Sequence, residues 1–191
     1  MPTGEPKFYL FGGLKPWNEQ AWSSSDDQVR GGKSESYLIH SADSSVASFR
    51  GHLDITALGG AGFASQRSVD PQSWDLFDYG GIRLGVTESD GKKYTLVLKD
   101  EAPLKRPDGR QESSISWEYD FVPSGTEVVA SWEDFKPRFR GKPKDDAGPL
   151  RLDRIKTISL MMRSFFGEQQ GPFKLGLRYI AAINFEDKSE N

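Results

Sequence analysis

Residues 85–99 read GVTESDGKKYTLVLK, two runs rich in strand-forming residues on either side of Asp90-Gly91. An Asp-Gly pair between such runs is a strong local signal for a β-hairpin. Tyr94, Leu96 and Leu98 alternate with Thr95, Val97 and Lys99, the two-residue period of a strand with one core face and one mixed face. The same period continues outward from this stretch. Over Ile115–Phe121, Ile115, Trp117, Tyr119 and Phe121 oppose Ser116, Glu118 and Asp120. Near the end of the chain, Phe173, Leu175, Leu177 and Tyr179 oppose Lys174, Gly176, Arg178 and Ile180.

Strands are predicted near Ser34–His40, His52–Leu58, Gly62–Ser68, Ile82–Thr87, Tyr94–Asp100, Ser114–Val122, Thr126–Trp132, Thr157–Ser164 and Phe173–Ile183. The chain's 20 glycines and 11 prolines punctuate these runs. Helical periodicity is nearly absent: Ser131-Trp132-Glu133-Asp134 caps at most one turn, and Asp153 another before Ile155. Residues 107–113 and 139–148 read as loops inside the array rather than linkers. The organisation expected is one domain over residues 1–185, with 186–191 as a solvated tail. Many short strands without a helix layer imply an all-β sandwich of jelly-roll type.

Composition narrows function. A chain of 191 residues is long enough to bury a full core, and its net charge of −3 disfavours nucleic acid or an anionic membrane as general partners. It has no cysteine, which removes disulfides, thiolate metal sites and thiol nucleophiles. Membrane insertion is not expected, because no window approaches about 18 consecutive apolar residues. The opening MPTGEPKFYLFGG carries neither an arginine-rich presequence nor a long apolar core, so cytoplasmic residence is the expectation.

Catalytic combinations are missing. His40 and His52 stand apart without a third nitrogen or sulfur ligand, and no G-x-S-x-G occurs. Gly59-Gly60-Ala61-Gly62 lacks the Lys-Ser/Thr of a phosphate loop and reads as backbone crowding. No metal and no cofactor is expected. Two charged constellations remain. The loop SDDQVRGGKS holds Asp26, Asp27 and Arg30 among glycines and hydroxyls. Such a loop can grip a polar ligand, hold calcium, or form a solvated turn. Arg67, Lys99, Glu118, Arg163 and Arg178 fall inside strands, where charge is less expected, and would form a mixed-charge platform if they share a concave face. The run ISLMMRSFF is apolar on both sides near Met161 and Met162 and reads as a central strand. The alternative is a groove lined by Met161, Phe165 and Phe166.

Several blocks together carry a resemblance. SDDQVRGGKSES (25–36), FRGHLDITALGGAGFASQRS (49–68), WDLFDYGGIRLGV (74–86), DGKKYTLVLKDE (90–101), SWEYDF (116–121), FKPRFRGKP (135–143) and ISLMMRSFFGEQQGPFKLGLRYI (158–180) follow in the order of one family. The chain resembles the family of the thirty-kilodalton complex I intermediate-associated protein, in its short free-standing fungal form. The resemblance implies a galactose-binding-domain-like jelly roll. It also implies a non-catalytic binding or assembly-chaperone module whose partner is a protein or a glycan-like small molecule, with mitochondrial association as an alternative location. Asp26, Asp27, Arg30, Arg67, Lys99, Glu118, Arg163 and Arg178 are the ligand-binding candidates. The competing expectation is a cofactor-free cyclase or isomerase of fungal secondary metabolism, with Asp26, Glu118 and Arg163 as its polarising groups. That alternative requires an enclosed pocket of at least roughly 300 Å³.

Overall fold

The computed structural model describes residues 6, 8–69, 72–102 and 104–185; the expected tail at 186–191 lies outside them. Among the described residues thirteen strands form two antiparallel sheets, joined by turns and four short 3₁₀ segments. The first sheet runs β3 (Glu35–His40), β4 (Ala47–Leu53), β13 (Gly171–Ile183), β6 (Gly81–Ser89) and β9 (Glu127–Ser131), with β1 (Phe8–Gly12) also on β13. The second runs β11 (Lys142–Pro143), β10 (Lys136–Phe139), β8 (Ser116–Phe121), β7 (Tyr94–Lys99), β12 (Thr157–Arg163), β5 (Phe63–Ser68) and β2 (Trp22–Ser24). This is the sandwich that the alternation predicts. Phe49, Leu53, Leu84, Leu96, Leu98, Ile158, Leu160 and Leu175 fill its interior at 1% exposure or less. Trp117 and Tyr119 pack against that core from its margin.

The expected hairpin at 85–99 does not form. Strand β6 lies in the first sheet and β7 in the second, so residues 90–93 cross between sheets. Asp90 explains the choice. Its carboxylate accepts from Lys92 N at 3.1 Å, Tyr94 Oη at 3.0 Å and Lys174 N at 2.9 Å, which ties the crossing to β13. Four residues span the roughly 10 Å between packed sheets, which a two-residue turn cannot.

Further expectations are corrected. The strand predicted at His52–Leu58 lies earlier, at β4, where Ala47, Phe49 and Leu53 are fully buried. Asp54 ends it by accepting from Thr56 N at 3.0 Å. Strand β1 is absent from the predicted set, and residues 136–143 hold a small hairpin, β10–β11, in part of a predicted loop. On β13 the register shifts on both sides of Leu177, so inward positions pass from Leu177 to Ile180 and Ala182. One extra residue reverses every later side chain. Tyr179, expected inward, therefore packs on the outer face, edge-on to Tyr9 at 5.3 Å. The turn at Ser131–Asp134 is present as a capping box, with Asp134 Oδ2 accepting from Ser131 N at 2.8 Å. Among the described residues no helix is long and apolar enough to cross a membrane.

Candidate functional site

The outward face of the second sheet is assembled by register. Pairing aligns Glu118 with Val97, Val97 with Ser159, and Ser159 with Arg67, one row across β8, β7, β12 and β5. Thr157 lies opposite Lys99, Met161 opposite Ser65, and Arg163 opposite Phe63. Side chains two apart on each strand share this face, so charged and hydroxyl groups far apart in sequence become neighbours. Loop residues 111–114 and Arg140-Gly141 join these rows in lining a half-open cavity of about 330 Å³.

Four of the eight predicted residues meet on this surface. Glu118 is 7% exposed; Arg163 reaches it through an ion pair to Oε1, and Ser116 Oγ donates to Oε2 at 2.7 Å. Lys99 Nζ donates to Ser114 Oγ at 3.0 Å. The Gln111 side-chain amide lies against the Arg67 guanidinium, 2.7 and 3.2 Å from its terminal nitrogens, and since a guanidinium only donates, the amide oxygen is assigned to that side. Burial holds the Lys99 ammonium below the ordinary lysine range; Glu118 opposes that shift and Arg67 adds to it. A fifth predicted residue, Arg30, borders the cavity from its exposed loop, 5.7 Å from the Phe63 ring centre.

Three predicted residues stand elsewhere. Asp27, fully buried, accepts from Ser34 N at 3.0 Å, Ser34 Oγ at 2.8 Å and Phe63 N at 3.1 Å. Asp26 accepts from Ser36 N at 3.1 Å, Ser36 Oγ at 2.6 Å and Ser65 N at 2.9 Å. Each carboxylate thus ties β3, or the residue leading into it, to β5 of the other sheet. Their oxygens face donors, an arrangement suited to closing an edge and unsuited to calcium. Burial pushes the Asp26 carboxyl above its ordinary range, against the lowering effect of its hydrogen bonds. A Cβ at Gly32 would overlap the Asp27 carboxyl, and one at Gly62 the Asp54 carbonyl, which accounts for two of the loop glycines by close approach. Arg178 is exposed on the outer face of β13, in the opposite sheet. Asp26, Asp27 and Arg178 are therefore not among the residues lining the cavity, and of the strand set expected to share one face only Arg178 stands on the other sheet.

The apolar run divides as well. Met162 is fully buried while Met161 lines the cavity. Phe165 and Phe166 adopt left-handed backbone at φ 48° and 61°, with Phe166 wholly exposed. Sequence reasoning missed the floor hydroxyls Ser116, Thr157 and Ser159, although the two-residue period of β8 and β12 encodes them. It also missed Gln111 and Arg140, which no period marks because they sit in loops. His40 bonds to the Ser41 carbonyl at 2.8 Å, and His52 borders a shallow groove on the other sheet. Among the described residues no three His, Cys, Asp or Glu side chains form a metal-sized cluster.

The family model for complex I intermediate-associated protein 30 matches residues 10–177. An uncharacterized protein of Schizosaccharomyces pombe is 42% identical over 183 residues, covering 91% of this chain and 83% of the relative. The family 11 carbohydrate-binding module of a Clostridium thermocellum cellulase superposes with a TM-score of 0.60 at 15% identity, over 100% of this chain and 99% of that one. A structure of this module in complex with a β-1,3-1,4-mixed-linked tetrasaccharide superposes at 0.55 with 16% identity, over 89% of this chain and 95% of that one. These likenesses show a galactose-binding-like jelly-roll fold.

Proposed function

The chain belongs to the complex I intermediate-associated protein 30 family, and from that premise we propose a non-catalytic binding module that holds its ligand or partner on the concave face of the second sheet. The observation that carries this reading is the half-open cavity of about 330 Å³, lined by five strand and loop cations and two carboxylates from separate elements. Polar groups that converge in a concavity fix the orientation of a ligand and give it specificity. Family membership supports an assembly-chaperone role, and the carbohydrate-binding neighbours support a ligand on this kind of sandwich. The reading treats residues 1–185 as one domain and takes cytoplasmic residence as its default, with mitochondrial association the family alternative.

The test follows backbone amide resonances during titration with a panel of small glycans and with proteins captured from a fungal extract. Perturbations centred on Val97, Glu118 and Ser159 are expected. Perturbations confined to β4 and β13 would refute the assignment of the face. A second reading, a cofactor-free cyclase or isomerase, is supported by the size of this half-open cleft and by Lys99, whose displaced ionisation in a cleft is a mark of reactive sites. Its polarising groups would be Glu118 and Arg163, since Asp26 lies in the inter-sheet corner. Product formation from a captured small molecule, lost in Glu118→Gln, separates the two.

A further inference from the structure

Granting that the concave face is the binding site, we infer that it is built for an anion: a compact, hydroxyl-bearing small molecule carrying a carboxylate or phosphate, rather than a neutral glycan. The charge is segregated. The whole chain carries −3, yet Arg30, Arg67, Lys99, Arg140 and Arg163 line a cavity whose carboxylates are Glu112 and Glu118. Glu118 is already taken by Arg163, and Glu112 stands in the exposed loop. Arg67, Lys99 and Arg140 face uncharged partners, Gln111, Ser114 and Ser113. Among the described residues none of these three has a carboxylate within ion-pair distance.

Two cations that sense each other where burial limits hydration are costly unless an anion lies between them. Lys99 and Arg67 stand in that relation, on strands separated only by β12; Glu118 and Glu101 offset it, but Glu118 is itself paired with Arg163. The floor adds Ser116, Thr157 and Ser159, short hydroxyls suited to a hydroxylated body. A neutral glycan would instead call for broad aromatic platforms. Phe63 is the one aromatic side chain lining the cavity among the described residues, and Arg30 lies over it. A cleft of about 330 Å³ is of a size to hold one compact molecule.

Calorimetric titration with glucose 6-phosphate, glucuronate and the mixed-linked β-glucan tetrasaccharide, with resonance mapping of each, tests this. One or both anions should bind at the concave face, and more weakly as salt rises. Lys99→Met and Arg67→Gln should each weaken binding about tenfold or more. Glu112→Gln, a change in an exposed loop, should tighten it about two- to threefold. The two anions distinguish phosphate from carboxylate. Tetrasaccharide binding at this face without anion binding would overturn the inference and leave the face assignment standing. Anion binding that Lys99→Met, Arg67→Gln and Glu112→Gln all leave unchanged would overturn the location, and no binding by any probe would count against both.

Discussion

The Asp26–Asp27 corner, from one loop, and the Lys99–Glu118–Arg163 cluster, from three strands, are both charged and both set against β5 or its neighbours. They differ in how far their hydrogen-bonding capacity is spent. At the corner each carboxylate meets three donors from two sheets, so the group is used up in holding the sandwich closed. In the cavity, Lys99 has a single hydroxyl acceptor among the described residues for three N–H donors, and the Arg163 Nε is buried with no partner. A charged cluster becomes a binding surface when folding leaves donors over; it becomes a staple when folding consumes them.

The sharpest way to break this comparison is to treat the corner as a ligand site. Asp27→Ala should cost about 3–5 kcal/mol, because it strands the Ser34 and Phe63 backbone amides and leaves the Ser34 hydroxyl only its bonds to Asp54. Thermal unfolding should show a melting temperature lower by about 10 °C or more. A variant that melts normally and merely loses ligand affinity would reverse the assignment. Next comes the buried ion pair. Glu118→Gln or Arg163→Met alone should cost about 3 kcal/mol by denaturant titration, since each leaves a buried charge or polar group unpartnered. The double variant Glu118→Gln/Arg163→Met should cost less than the sum of the singles. Additive losses would show that the two side chains do not act as a pair.

The smallest expected effect lies with Lys99, and its sign is opposite. A lysine whose folded pKa is lowered binds fewer protons in the native than in the unfolded state between the two values. Burying its charge therefore costs stability below the folded pKa, and that cost fades as pH rises toward 10.5. Lys99→Met should raise the melting temperature by roughly 2–4 °C at neutral pH, with the gain shrinking on the alkaline side. Destabilisation at neutral pH would mean that the ammonium is a structural element, like the corner aspartates.

Much of the fold was legible along the chain because burial follows a two-residue period. Leu96 and Leu98 on β7, like Ile158, Leu160 and Met162 on β12, recur at every second position, and all five are at 1% exposure or less. The hydroxyls on the cavity floor obey the same period and could have been read from it. What periodicity does not carry is strand pairing. The Asp90-Gly91 stretch looks like a hairpin locally, yet its carboxylate is engaged by Lys174, a residue 84 positions away. The bulge near Leu177 likewise turned Tyr179 outward without any mark in the alternation.

The order of apolar and polar residues alone decided that this chain becomes two packed antiparallel layers, because each strand has to hide one side from water whatever its neighbours are. Which charges were left over was decided only in three dimensions. Asp27 met its donors at the starts of β3 and β5, and Lys99 met Arg67 across β12, because hydrogen-bond saturation and charge proximity are properties of neighbours in space.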